Sequence, residues 1–313
     1  MFLLIPFCIS YLHTVRIIGH RGDGCSQINC VTAYPENTIA SALHALEVGA
    51  YAVELDVWIS KDDQLMISHR NHVDGSKDDL FASITPGLGT TTPRPDQFEY
   101  KTRSLYPMKA PWSKDRRPRA EYLSDRYTVA HIPITLLPTL GEYLDGVCPT
   151  GKKIVVEMKG NDARLPLRVV QEIEKHNAFD CIHAISSFEW NYANTAVHQA
   201  DLFESIKNET RVKRALLYSS SQPSGNDFIL TAADHYNASF IHPKCTALDA
   251  RWNSTIINAH RKGLEVMCYF GSQIDTFTHF DTAMQYGVDE ICTNNPALLH
   301  EYLNKKYSKP RND

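Results

Sequence analysis

The chain lacks the cysteine spacing of a zinc site, a strong excess of charge of either sign, and any apolar run long enough to cross a bilayer. Its eight cysteines stand at 8, 25, 30, 148, 181, 245, 268 and 292. No CxxC pair and no Cys/His cluster of ligand spacing is among them, which argues against structural zinc. Only Cys25 and Cys30 are close in sequence, and they are the candidate pair for a bridge. An even total permits disulfides without requiring them in a chain of 313 residues. A formal net charge of −4 offers no general attraction to nucleic acid or an anionic membrane, although KDRRPR at 114–119 is locally basic. Any phosphate binding must therefore be local. The opening MFLLIPFCIS is too short to span a membrane and lacks the basic stretch of a good signal peptide, so it is expected to pack on the fold. Sequons begin at Asn208, Asn237 and Asn253, a number expected by chance, and the location stays open between cytoplasmic and secreted. No internal repeat stands out.

What is present is an ordinary globular composition, 43% hydrophobic and 22% charged, carried by alternating strand-like and helix-like runs. VRIIG leads into ENTIASALHALEVG, where Ile39, Leu43 and Leu46 recur at helical spacing and Gly49 follows as a C-cap. YAVELDV and QLMIS come next. KIVVEMK (153–159), IHAISSF (182–188), ALLYS (215–219), SFIHP (239–243) and LEVMCYF (264–270) follow, mostly with helix-like spacers. Eight strands alternating with helices over about 250 residues is the pattern of an α/β protein of the (β/α)8 TIM-barrel type, with its active site at the C-terminal strand ends. The expected organisation is an apolar segment at 1–14, the barrel at 15–304 and a tail at 305–313.

Two places break the regularity. Only Trp58 to Asp63 separate YAVELDV from QLMIS, too few for a helical crossover. Six extended residues reach roughly 20 Å, about one strand length, so the chain is expected to return to the barrel floor and rise again. The second break is 72–131, rich in Pro, Gly, Thr and charge, which reads as a long loop insertion over the catalytic face.

The chemistry-bearing residues cluster at strand ends. Glu54 and Asp56 share one face of their strand while Val53, Leu55 and Val57 share the other. In a barrel the apolar face meets the helices and the two carboxylates point inward, an expensive arrangement unless a cation lies between them. The commoner fate of an E-x-D strand is a solvated edge, and the barrel context argues against it here. Glu157 and Lys159 repeat the arrangement, with a plain rim ion pair as the bland reading. If Glu157 joins Glu54 and Asp56, three oxygen ligands suit Mg²⁺ or Ca²⁺. His20 and His69 each follow a strand. Lone histidines there are usually packing or surface, but two at matched positions beside acids suit general acid–base work. Arg21 adds a planar donor fork for phosphate oxygens, and Lys159 a second cation.

At these residues the chain resembles the glycerophosphodiester phosphodiesterase family. The resemblance is carried by HRG (20–22), PENT (35–38), ELDV (54–57), SH (68–69), PTLGEYL (138–144), VEMK (156–159), SSF (186–188), IHP (241–243) and GVDEICTNNP (287–296). It implies a metal-dependent barrel, a phosphoric diester hydrolase that splits glycerophosphodiesters into glycerol 3-phosphate and an alcohol. His20 and His69 would be the acid/base pair, Glu54, Asp56 and Glu157 the metal ligands, and Arg21 and Lys159 the phosphate contacts. The chain departs from the family pattern in HRN, with Arg70 for an acid, in Tyr269 for the usual tryptophan, and in TNNP, with Asn294 for an acid. The segment between HRG and PENT is also longer than usual. The substrate is expected to be a small glycerophosphodiester or a lysophospholipid, with the polar insertion favouring a soluble head group. No nucleic-acid partner and no stable membrane span is expected. Two alternatives stay open. One is phospholipase C- or D-like cleavage of (lyso)phospholipids through a cyclic phosphate, and the other is a catalytically silent barrel that binds phosphate or head groups.

Overall fold

Strand alternation decides which side chains meet inside this molecule. A computed structural model describes residues 15–23, 31–32, 34, 36–69, 99–101, 112–113, 137–192, 200–218, 226–271 and 275–307. In chain order the strands are β1 (Arg16–Gly19), β2 (Val31–Thr32), β3 (Ala52–Ile59), β4 (Leu65–Ile67), β5 (Trp112–Ser113), β6 (Lys153–Met158), β7 (Ile182–Ser187), β8 (Arg214–Tyr218), β9 (Phe240–Pro243), β10 (Glu265–Tyr269) and β11 (Glu290–Thr293). The helices are α1 (Ile39–Glu47), α2 (Leu140–Val147), α3 (Leu165–Lys175), α4 (Asn226–His235), α5 (Ala250–Arg261), α6 (Phe277–Gln285) and α7 (Pro296–Tyr307). Eight of the strands run parallel in the order β1-β11-β10-β9-β8-β7-β6-β3, and a β1–β3 pairing closes the ring. This is the (β/α)8 barrel expected from the sequence. Between β7 and β8 the described residues hold only a 3-10 turn, Glu204–Ile206.

The apolar half of each strand packs outward, as the alternation predicts. Val53, Leu55 and Val57 of β3 and Ile154, Val156 and Met158 of β6 join the large cluster shared with the helices. Inside the barrel a second cluster stacks Ile18, Ala52, Val155, Ala184, Ala215, Phe240, Met267 and Cys292. That apolar plug leaves no pore, and everything polar on the inner face lies above or below it.

QLMIS differs from its expected role. It is not a barrel strand: β4 pairs antiparallel with the upper half of β3, Val57 opposite Ile67 and Ile59 opposite Leu65. The five residues between them, Ser60 to Gln64, make a tight turn, with the Ser60 N–H donating to Gln64 O at 2.8 Å and Asp63 at a left-handed φ of 62°. The chain thus doubles back on β3 without reaching the floor. The eighth barrel strand is instead Glu290–Thr293, the EICT segment that carries one of the resemblance motifs. A short connection favours a hairpin over any parallel return, and here that preference prevails.

The sequence also locates the helix caps. Thr38 of PENT starts α1, its Oγ1 accepting from Ser41 N at 3.1 Å. Thr139 and Glu142 of PTLGE form a reciprocal capping box at α2. Among the described residues two disulfides are present, Cys148–Cys181 and Cys245–Cys268, while Cys292 is a buried free thiol. The Cys25–Cys30 candidate lies outside the described residues, as do the 1–14 segment and most of the 72–131 insertion. Within the insertion, Trp112–Ser113 pairs antiparallel with Val31–Thr32, which ties it to the loop leaving the C-terminal end of β1.

Candidate active site

Two residues beyond the apolar plug, the inner face turns polar. The same alternation that puts Ile18, Ala52, Val155 and Cys292 in the plug puts His20, Glu54, Glu157 and Asn294 in the mouth above it. Glu54, Asp56 and Glu157 are all buried, and one oxygen from each lies within 4.8 Å of the others. Asp56 and Glu157 sit directly opposite in the β3–β6 register. Two cations border the acids. Lys159 Nζ contacts Glu157 and lies 3.1 Å from Asp56 Oδ1. Arg21 donates from its backbone N–H to Glu54 Oε2 at 2.9 Å, and its Nε lies 3.4 Å from Asp56 Oδ2.

The HRG and PENT segments are built into each other. Arg21 has a left-handed φ of 55° and Gly22 one of 84°. A Cβ at Gly22 would come within 2.7 Å of Ala42 N, so the turn needs glycine there. Arg21 Nη1 donates to both oxygens of Glu36 at 3.0 Å. Asn37, at φ 60°, clamps Asp56: its Nδ2 donates to Asp56 Oδ2 at 2.9 Å and its Oδ1 accepts from Asp56 N at 3.1 Å. Glu36 and Asn37 were absent from the set of residues chosen by their chemistry. Their only sequence signal was their place in the PENT motif, because nothing in their local pattern shows that they turn back onto β3.

His20 and His69 meet at the same mouth. The hairpin brings His69 down beside the acids, with Ser68 N donating to Asp56 O at 3.0 Å. His20 Nδ1 is 2.6 Å from Asn294 Oδ1. Asn294 Nδ2 donates to Gly271 O at 2.9 Å and to Asp275 Oδ1 at 3.1 Å, so its carbonyl oxygen faces His20 and the ring donates through Nδ1. That tautomer makes Nε2 the lone-pair nitrogen, 4.0 Å from Glu54 Oε2. Asp275 was also missed, since it acts through Thr293 and Asn294, 18 and 19 residues further along the chain.

The electrostatics follow from burial and neighbours. Burial, reinforced by Arg21, pushes His20 down to about 3 and His69 well below its usual value, so both rings rest neutral. Burial and the adjacent Asp56 and Glu157 hold Glu54 well above the carboxylate range. Burial would also raise Asp56, but Lys159, Arg21 and the hydrogen bond from Asn37 override it and keep it ionised. Among the described residues Glu54 Oε1 has no hydrogen-bond partner although it is buried. An orphaned carboxylate oxygen beside two more carboxylates is what a hard divalent cation would satisfy, and the all-oxygen donor set fits Mg²⁺ or Ca²⁺ and not zinc.

A parallel barrel with acids, histidines and cations gathered at its C-terminal mouth has the layout of a barrel enzyme acting on an anionic ester. The chain matches the model of the Glycerophosphoryl diester phosphodiesterase family over residues 20–298 and belongs to that family. A glycerophosphodiester phosphodiesterase from Caldanaerobacter subterraneus is 43% identical over 58 residues, 18% of this chain and 21% of the relative. The glycerophosphodiester phosphodiesterase structure from Thermotoga maritima is 18% identical, covers 92% of this chain and 98% of its own, and has a TM-score of 0.60. A phosphodiesterase from Oleispira antarctica, solved with the product sn-glycerol-3-phosphate, is likewise 18% identical at 93% and 97% coverage, with a TM-score of 0.59. At these identities the two structures attest the shared barrel.

Proposed function

We propose that the protein hydrolyses glycerophosphodiesters to glycerol 3-phosphate and an alcohol, with a divalent cation held by Glu54, Asp56 and Glu157 and with His20 and His69 as the acid/base pair. The observation that carries this reading is the buried three-carboxylate cluster beside two neutral histidines at one barrel mouth. When bound, a Mg²⁺ or Ca²⁺ ion would polarise the phosphodiester and neutralise charge developing on its oxygens. Arg21 and Lys159 flank the acids and would complete the binding of the phosphate anion. One ring takes the proton of the attacking oxygen nucleophile. The other returns a proton to the leaving alkoxide, one it gains as the incoming anion offsets Arg21 and Lys159.

The test is release of glycerol 3-phosphate from glycerophosphocholine with Mg²⁺ or Ca²⁺, with EDTA, and in Glu54→Gln. Metal-dependent release that the variant loses is the expected outcome. Turnover unaffected by EDTA would remove the metal from the reading. A cyclic phosphate product would replace hydrolysis with an intramolecular attack.

For location, we propose that the chain matures in an oxidising compartment. Support comes from the two disulfides, which cytosolic thiol buffers keep reduced in most proteins. With two bridges among eight cysteines, the native protein should show no more than four free thiols before reduction. Eight reactive thiols in the denatured, unreduced protein would refute it.

A further inference from the structure

The mouth has two arcs of different character. On the β1, β3 and β6 arc the inward polar groups are charged or catalytic. Beyond it around the ring, β7 and β9 each present one buried polar side chain to the mouth, Ser186 at 0% exposure and His242 at 2%. Neither Ser186 Oγ nor either ring nitrogen of His242 has a hydrogen-bond partner among the described residues. Native interiors leave few such groups unpaired, and three unpaired atoms facing one mouth indicate a missing polar ligand.

Position identifies them as part of the mouth. Ser186 is two residues above Ala184 and His242 two above Phe240, both members of the apolar plug. Ser186 lies directly opposite Glu157 in the β6–β7 register, so this arc borders the carboxylates. His242 meets Tyr269 edge-on at 5.5 Å. Tyr269 in turn donates its hydroxyl to Tyr218 O at 3.3 Å and lies edge-on to Phe188 at 5.7 Å. The aromatic neighbours therefore fix the imidazole without occupying its nitrogens.

Chemistry selects the ligand. Burial, reinforced by the nearby His20, pushes His242 down to about 3, so it rests as a neutral ring with one donor and one acceptor. A serine hydroxyl likewise gives and accepts. Phosphate oxygens of a diester only accept and would leave the acceptor half of each group unused. An alcohol hydroxyl uses both halves. We infer that Ser186 and His242 form a hydroxyl-recognition subsite that takes the free hydroxyls of the glycerol moiety while the phosphate lies over the carboxylates. This rests on the glycerophosphodiester reading above and adds to it the residues that choose glycerol.

The experiment compares kcat/KM for glycerophosphocholine with that for bis(4-nitrophenyl) phosphate, a diester without hydroxyls. Wild type is measured beside Ser186→Ala, His242→Phe and His242→Asn, whose amide keeps a donor and an acceptor. The ratio of the two rates should fall roughly ten- to a hundredfold in Ser186→Ala and His242→Phe, as a lost buried hydrogen bond implies, mostly through KM. His242→Asn should recover part of it. An unchanged ratio in both variants would overturn the subsite. Calorimetric binding of sn-glycerol 3-phosphate against ethyl phosphate decides independently of turnover: wild type should prefer the glycerol ester and His242→Phe should lose that preference. If wild type binds with that preference yet cleaves neither diester, the catalytic reading fails and the subsite stands. Equal binding of the two esters by wild type sinks the subsite.

Discussion

His20 and Asn294 are joined at 2.6 Å across 274 residues of sequence, and Asp275 holds the asparagine in place from behind. The surroundings of the amide explain why it suits this chain. Asp275 Oδ2 already accepts from Asn294 N at 2.7 Å and from the Thr293 hydroxyl. Asn294→Asp would set two buried carboxylates against each other, so it should lower both stability and kcat. Asn294→Asp combined with Asp275→Asn restores one charge and one amide and should recover most of the loss. A double-mutant cycle in kcat and in denaturant midpoint measures the coupling. Additive losses would mean that the two positions act independently.

The carboxylate cluster predicts a pH dependence that metal reverses. Glu54 has a folded-state pKa raised well above its unfolded value, so the folded form binds the extra proton. Stability in EDTA should therefore fall as pH rises from the ordinary carboxylate range toward that raised value. Asp56 has the opposite sign, and its contribution is lost only as pH falls below the ordinary aspartate range. Thermal unfolding from pH 4.5 to 8 checks this: the downward slope expected in EDTA should flatten with Mg²⁺ or Ca²⁺, or in Glu54→Gln. The same variant should lose activity roughly a thousandfold, several kcal/mol of transition-state stabilisation.

Arg21 and Glu36 form a buried pair, with both guanidinium contacts at 3.0 Å from one nitrogen. Removing one partner of a buried pair strands the other, typically at about 3–5 kcal/mol. Glu36→Ala should therefore destabilise by that order and raise KM, since Arg21 loses the anchor that aims it beside Asp56. Urea denaturation and steady-state kinetics report the two effects separately.

The disulfides close loops with sequence separations of 33 and 23. In the chain-entropy model each contributes about 3–4 kcal/mol by constraining the unfolded chain. Reduction should lower the denaturant midpoint, and Cys148→Ala/Cys181→Ala should reproduce part of that shift without abolishing turnover.

Much of this was legible in the residues, for identifiable reasons. Period-two alternation placed Glu54 and Asp56 opposite Val53 and Val57, because inside and outside of a barrel strand admit no third choice. The same reasoning misplaced Leu65–Ile67, since three apolar residues read alike in a barrel strand and in a hairpin, and only the turn chemistry at Ser60 to Gln64 separates them. Glu290–Thr293 is too short to read as a strand from sequence, four residues set between Asp289 and Asn294. The roles of Asn37 and Asp275 were illegible for a different reason: each acts on a partner remote in sequence, and no local pattern encodes such a contact. Ser186 and His242 stand within SSF and IHP, but their lack of hydrogen-bond partners among the described residues is a property of the folded mouth.

The ring closes by pairing β1 with β11, the first barrel strand with the last. Translation therefore delivers the three acids and both histidines long before the residue that aims His20. A nascent chain emerging from the ribosome through Gly287 carries Glu54, Asp56 and Glu157 but no Asn294 and no strand to seal the barrel. Competence waits for β11, so a product stalled before it holds every charged group of the site without the closed barrel or the amide that aims His20.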